Sequence, residues 1–220
     1  MKIIDCIQKS PEWYAARIGI PTASAFEKIL SPTGKVSTQW EAYAHSILAE
    51  EIVGHAIEGY VSKDMEEGIA REEESRAYYE MERSVDVVKV GFCTDDARTM
   101  GYSPDGFVGD DGLLEFKNPK HTTQVGYYLG DDALSGEYWP QLQGGLLVTE
   151  RKWVDIVSYF PEMPPHILRV DRDEAYIAKL ADGIAEFNAK LAAKRQRLIG
   201  LGIIQTGLTG KEQARLLGAG

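Results

Sequence analysis

The chain has 220 residues, 44% of them hydrophobic and 26% charged, with a formal net charge of −10 and a pI near 5.0. That length suits one domain, or one domain with an appendage, and is ample for a sizeable core. The acidic balance argues against a basic coat for nucleic acid, but not against a metal-dependent nuclease, which keeps carboxylates for its metals and needs only a local basic surface.

No charged-then-apolar leader opens the chain, and no apolar run nears the roughly 18 residues of a membrane span, which reads as a soluble cytoplasmic protein. Residues 10–30, "SPEWYAARIGIPTASAFEKIL", predict a short helix, a turn at Gly19 to Pro21, and a second helix capped by Thr22 or Ser24. In "STQWEAYAHSILAEEIVG", Thr38 and Glu41 form a capping box and Gly54 is the stop. A third helix is predicted over 63–82. "VDVVKVGFC" then reads as a strand, rich in β-branched residues. "MGYSPDGFVG" is a strand broken by a Pro-Asp-Gly turn, and Asp110-Asp111-Gly112 leads by a hairpin into the strand "LLEFK". "YWPQLQGGLLVTE" is helical from 139, because Pro140 is tolerated in a first turn. "WVDIVSYF" and "HILRV" are strands, followed by one long amphipathic helix. The order predicts an α/β fold, with a mixed central β-sheet flanked by helices. Residues 1–200 form one domain in this reading; 201–220, with a short helix at 210–217, form a tail that packs on a neighbouring subunit. Two cysteines, Cys6 and Cys93, outside any CxxC or Cys/His cluster, argue against structural zinc, an iron–sulfur cluster and a disulfide scaffold.

The stretch "YSPDGFVGDDGLLEFKNPK" carries the chemistry. In a strand, residues i and i+2 share a face, so Glu115 and Lys117 point one way while Leu114 and Phe116 point the other. A carboxylate and an ammonium on a central strand are costly unless they serve something. Asp105 stands at the far end of the paired strand, within reach of Glu115 across the hairpin. Two carboxylates in contact repel unless a cation lies between them, and all-oxygen ligands favour Mg²⁺ or Mn²⁺. The reaction that fits is phosphodiester hydrolysis, with Lys117 holding the attacking water or the phosphate. The competing reading is a surface ion pair and a turn aspartate.

Pro104-Asp105 followed by Glu115-Phe116-Lys117 resembles the core of the PD-(D/E)xK nucleases. "EWYAARIGIPTAS", "GIAREEESR", "CTDDARTMGYSPDG", "LLEFKNP" and "YWPQLQGGLLVTERKWVDIVSYFP" together resemble a narrower group, the phage lambda exonuclease or YqaJ-type viral recombinases, from Trp13 to Tyr176. The resemblance implies a restriction-endonuclease-like core. Glu72 takes the place of a third metal carboxylate beside Asp105 and Glu115, and the backbone carbonyl of Phe116 is an added ligand. Arg17, Ser24, Ser103 and Gln141 take the places of a pocket for a 5′-terminal phosphate, with Gln143 as the rival of Gln141. It further implies a Mg²⁺-dependent 5′-to-3′ exonuclease on linear duplex DNA. Such an enzyme uses two ions per site, with Mn²⁺ able to substitute, and releases mononucleotides to leave a 3′ overhang. It works as a ring-shaped trimer with a single-strand annealing protein in the bacterial host cell. A restriction-type endonuclease, a RecB-like single-strand nuclease and a non-catalytic DNA-end-binding module are the alternatives.

Other residues read as structural. Trp13 and Tyr14 are core or staple residues before they are base-stacking ones. His121 is a loop histidine. Lys190, Lys194, Arg195 and Arg197 complement the dipole of the long helix, with DNA or a neighbouring subunit as the other candidates.

Overall fold

A computed structural model describes residues 1–57, 71–130 and 134–205. Ser10 accepts a hydrogen bond from the Trp13 amide (3.3 Å) and Pro11 sets the first φ, so helix α1 runs Pro11–Arg17. The second predicted helix is a 3₁₀ helix, Ala23–Lys28, and Thr22 does not cap it because its hydroxyl turns to Arg17 and Ser24. Helix α2, Trp40–Val53, stops at Gly54 (φ 75°) as predicted. Its capping box does not form: Gln39 is the N-cap and makes no side-chain cap bond. Helix α3 is described over Glu72–Arg83; the first part of the predicted third helix and the predicted helix at 210–217 lie outside the described residues.

Among the described residues there are eight strands: β1 Lys2–Ile4, β2 Val87–Val88, β3 Phe92–Thr94, β4 Gly101–Tyr102, β5 Gly106–Val108, β6 Gly112–Lys117, β7 Trp153–Ser158 and β8 His166–Asp171. They form a mixed five-stranded sheet, β2-β5-β6-β7-β8, and an antiparallel three-stranded sheet, β1-β3-β4. Strands β6 and β7 are parallel. A parallel pair needs a crossover, which passes through α4 His121–Leu129, α5 Leu134–Glu137 and α6 Trp139–Thr149. Helix α7, Glu174–Gly200, starts at Asp173, whose carboxylate accepts from the Tyr176 amide (3.0 Å).

The predicted strand "VDVVKVGFC" splits, and its halves join different sheets. The break is at Gly91, where a Cβ would lie 2.2 Å from the Cys6 carbonyl oxygen: the N-terminal segment crosses there. That segment contributes β1, a strand whose mostly exposed residues carry no periodic signal.

Strand β6 is buried on both faces. Leu113 joins the main core with Leu142 and Leu146 of α6 and Leu180 and Ile184 of α7. Each of these buried side chains stabilises the fold by about 2 kcal/mol. Leu114 and Phe116 face a second cluster with Tyr79 of α3 and Val157. Gly145 lets α6 press on the Tyr102 ring, since a Cβ there would lie 2.7 Å from it. The end of α7 is tied to α2 by Lys194–Glu41 (2.7 Å) and Arg195–Glu51 (2.8 Å), so these cations hold helices together rather than only complement the dipole. Beyond α7, Ile204 is buried in the main core.

Candidate active site

The β5–β6 hairpin turns at Gly109 (φ 52°) and pairs Val108 with Gly112 and Gly106 with Leu114. Continued one residue, that register sets Asp105 opposite Glu115. Two bonds lock it: the Asp105 amide donates to the Leu114 carbonyl (3.1 Å), and the Phe116 amide donates to Asp105 Oδ2 (2.6 Å). The Lys117 carbonyl faces β7, where it accepts from the Tyr159 amide (2.9 Å). Backbone groups alternate edges along a strand, so the Phe116 carbonyl shares the Asp105 edge with its own N–H.

Glu115 is 4% exposed. Its Oε2 accepts from the Tyr102 hydroxyl (2.7 Å); its Oε1 accepts from Lys117 Nζ (3.0 Å) and from Gln141 Nε2. Lys117 Nζ also donates to Gln141 Oε1 (3.1 Å) and lies 4.0 Å from the centre of the Tyr138 ring. Burial pulls the Lys117 ammonium down, but the charge and hydrogen bond of Glu115 outweigh it and hold the pKa above its ordinary value. Burial pushes the Tyr102 phenol well up, and the Glu115 and Asp105 charges add to it, so Tyr102 is a fixed donor.

Glu72 opens α3. It stands 3.6 Å from Arg76 Nη2 and 3.6 Å from Lys9 Nζ. Arg76, 6% exposed, donates from Nη1 to the Asp105 carbonyl (2.7 Å), and its Nε has no partner among the described residues. Gln8 Nε2 donates to the Pro104 and Val90 carbonyls (2.8 Å each). Arg76 and Gln8 thus grip the backbone on both sides of the Pro104–Asp105 peptide. Sequence reasoning gave neither a role.

The donor set fits a divalent cation. Burial pushes the Asp105 carboxyl well above the usual carboxylate range; the Glu115 charge adds to this and Glu72 adds less, against the Phe116 N–H and Lys117. A buried acid elsewhere shows the contrast. Asp155 on β7 has Arg169 to itself, with two bonds of 2.8 Å, and also accepts from the Tyr79 hydroxyl (2.7 Å). Asp105 and Glu115 share one lysine and so lack positive charge. Among the described residues no three His, Cys, Asp or Glu side chains form a ready-made metal cluster. The set is an open one: two carboxylates side by side, the Phe116 carbonyl on their edge, and Glu72 from α3. Mg²⁺ keeps several waters and suits such a site.

Glu72 and Asp105 line a cavity of about 630 Å³. A second cavity, of about 170 Å³, is lined by Arg17, Ser24, Ser103 and Gln141, together with Trp13, Thr22 and Tyr102. Gln8 borders both. Arg17 Nη1 donates to Ser103 Oγ (3.2 Å), and its Nη2 to Thr22 Oγ1 (3.3 Å) and Ser24 Oγ (3.5 Å). Helical spacing stacks Arg17 on the Trp13 ring, 4.2 Å from its centre, while Trp13 Nε1 donates to Ser103 Oγ (2.8 Å). These partners of the guanidinium are hydroxyls, so its charge is left for an anion. Gln141 touches both halves of the site, being bonded to Glu115 and Lys117 and lining the small cavity. Its rival Gln143 is fully buried and turned away, bonded to the Asp171 carbonyl and the Asp173 amide (2.9 Å each). Glu72 and Asp105 thus line the larger cavity, Arg17, Ser24, Ser103 and Gln141 line the smaller one, and Glu115 pairs with Lys117, while His121 packs against Phe160.

The model of the YqaJ-like viral recombinase domain matches residues 12–152. Among solved structures, an alkaline exonuclease (LHK-Exo) from Laribacter hongkongensis superposes with a TM-score of 0.78 at 29% identity, covering 88% of this chain and 98% of its own. LHK-Exo in complex with dAMP superposes at 0.77 and 30% identity, covering 86% and 96%. A phage-related exonuclease from Haemophilus somnus 129PT, at 15% identity and a TM-score of 0.62 over 80% and 96%, shares the fold. No curated protein matches the chain. Among the described residues no helix is long and apolar enough to cross a membrane. The chain belongs to the YqaJ-like viral recombinase family and has the restriction-endonuclease-like fold of its exonucleases.

Proposed function

We propose that the protein is a Mg²⁺-dependent exonuclease that digests one strand of linear duplex DNA from a 5′-phosphorylated end, in the 5′-to-3′ direction, releasing mononucleotides. The observation that carries this reading is the joining of an anion pocket and a carboxylate site through Gln8 and Gln141. Arg17, with Ser24 and Ser103, grips a terminal phosphate. The neighbouring phosphodiester would then fall to Asp105 and Glu115, on the other side of Gln8 and Gln141, and its cleavage would release a mononucleotide. The binding of dAMP by the related Laribacter enzyme is consistent with that size.

Asp105, Glu115, Glu72 and the Phe116 carbonyl would hold Mg²⁺, with Mn²⁺ able to substitute and two ions per site. Bound there, the metal supplies a nucleophilic hydroxide and neutralises charge on the phosphate. Lys117, fixed by Glu115, Gln141 and the Tyr138 ring, keeps its proton and holds the attacking water against the phosphate oxygen. Tyr102 holds the other Glu115 oxygen, and so the angle of the carboxylate. A ring-shaped trimer, a tail packed on the neighbouring subunit and a single-strand annealing protein as partner complete the proposal, in the cytoplasm of a bacterial host.

The test is a linear duplex with one 5′-phosphorylated and one 5′-hydroxyl end, each strand labelled, with Mg²⁺ and with chelator, for the native protein and Lys117→Ala. Mononucleotides released from the phosphorylated end, lost with chelator and with the substitution, are expected. Cutting of a closed circle, or equal attack on both ends, points instead to an endonuclease or a RecB-like enzyme. End binding without cleavage leaves a non-catalytic module.

A further inference from the structure

We infer that Lys9 and Lys89 form a second phosphate grip, which takes the backbone of the scissile strand on the far side of the carboxylates from Arg17. The inference rests on the exonuclease reading and extends it from the end of the strand to the nucleotides that follow.

Both lysines line the larger cavity, together with Glu72, Arg76 and Asp105. The small cavity, with Arg17, lies on the other side of Gln8. A strand with its terminal phosphate on Arg17 and its scissile bond at Asp105 and Glu115 continues into the larger cavity, which Asp105 also lines. Its next phosphates then need cations, because the walls bring the carboxylates of Asp5, Glu72, Glu73 and Asp105, and Arg76 is committed to the Asp105 carbonyl and Glu72.

The two ammonium groups are held ready rather than used up. Lys9 stands 3.6 Å from Glu72 Oε2 with its side chain 47% exposed, and Lys89 pairs with Glu73 with its side chain 61% exposed. Pairs this open are worth little to the fold, and a phosphate in the cavity competes for both cations. The mounting of Lys9 is costly for so small a return. Its φ is 68°, a left-handed conformation that is strained for a non-glycine residue. The turn is closed by the Ser10 amide donating to the Ile7 carbonyl (3.0 Å) and pinned by Gln8. A strained turn pinned beside the catalytic aspartate, with a lysine at its tip, is placed for a ligand.

The test measures binding of a 5′-phosphorylated duplex by fluorescence anisotropy over a range of NaCl, with Ca²⁺ in place of Mg²⁺. The proteins are native, Lys9→Gln, Lys89→Gln, the double variant and, as a charge control, Lys35→Gln, an exposed lysine outside both cavities. Each grip lysine is expected to lower the slope of log K against log salt by about 0.7, a weakening of about fivefold at 0.1 M salt. Lys35→Gln is expected to match the native slope. A native slope in the double variant, or an equal fall in Lys35→Gln, overturns the inference. Digestion of the native protein's substrate from the 5′-phosphorylated end, run in parallel with Mg²⁺, separates the two levels: digestion with an unchanged slope removes only the grip, and its failure removes the exonuclease reading as well.

Discussion

Asp105→Asn should stabilise the protein in the absence of metal while abolishing cleavage. The register that pairs Gly106 with Leu114 sets Asp105 opposite Glu115, with their Cβ atoms about 5 Å apart, and that spacing is taken for the two charges. Two like charges at that distance repel by about 3 kcal/mol at an effective dielectric constant of about 20. Lys117 offsets part of this, leaving roughly 1–2 kcal/mol to be recovered. Asparagine can still accept from the Phe116 amide, so the hairpin lock survives. At this chain length the gain corresponds to a rise in Tm of about 3–6 °C. The sign with pH follows from the raised Asp105 pKa. Between its unfolded and folded pKa values the native state binds more protons than the unfolded state, so stability falls as pH rises through that window. The advantage of the variant therefore opens above the unfolded-state aspartate pKa of about 4, grows as Asp105 ionises in the folded state, and vanishes in acid. Adding Mg²⁺ should raise the native Tm and leave the variant nearly unmoved. Differential scanning fluorimetry across pH, with and without Mg²⁺, reads all of this. A variant less stable than native at high pH without metal would show that the protein already neutralises Asp105, and would refute the reasoning.

Removing Arg17 should erase the distinction between ends: Arg17→Ala loses about 2 kcal/mol on 5′-phosphorylated substrates, roughly 30-fold in kcat/KM, and little on 5′-hydroxyl ends, with Arg17→Lys only partly restoring it. Arg76→Met frees the Asp105 carbonyl and Glu72 together and should raise the Mg²⁺ concentration for half-maximal activity by about tenfold or more; a metal titration that matches native would show that Arg76 only fills space. The two glutamines of α6 should part company. Gln143→Leu leaves the Asp171 carbonyl and Asp173 amide unpaired and lowers stability by about 2 kcal/mol with activity kept, whereas Gln141→Leu keeps Tm and loses activity, read by thermal melts beside initial rates.

The carboxylate site was legible because it is local. Asp105, Glu115 and Lys117 belong to one hairpin, and strand alternation with a two-sided burial pattern places them without knowledge of the rest of the chain. The family motifs extended this to Glu72 and the Arg17 pocket. The supports were not legible, because each depends on packing or on main-chain acceptors. Tyr102 reaches Glu115 only once Gly145 has let α6 press it into place, and Arg76 reaches a main-chain carbonyl, which leaves no mark in composition. Gln8 is the clearest case. It lies just past a three-residue, mostly exposed strand, and its two acceptors are backbone carbonyls 82 and 96 residues away. Two predictions failed to different competing contacts: Thr22, read as a helix cap, spends its hydroxyl on the Arg17 cluster, and the segment 85–93 splits where Gly91 admits the N-terminal crossing.

The acidic total and a phosphate substrate are reconciled by where the cations are spent. Lys194, Arg195, Arg169 and Arg172 are each paired with a carboxylate of this chain; the first two join helix to helix, Arg169 joins strand to strand, and Arg172 pairs locally with Glu174. Those pairs sit in the frame of the fold, outside both cavities. Arg17 differs because its hydrogen-bond partners are the hydroxyls of Thr22, Ser24 and Ser103, which orient the guanidinium without neutralising it. Burial makes that choice expensive: it depresses the Arg17 pKa, and the nearby tyrosines and Glu50 only partly restore it. A buried guanidinium given neutral partners gains most from an arriving dianion, since charge is worth more where water is scarce. The same physics accounts for the crowding of Asp105 and Glu115, which gain most from an arriving cation. The two halves of the site hold opposite deficits of charge side by side, and a terminal phosphate with its metal ions satisfies both at once.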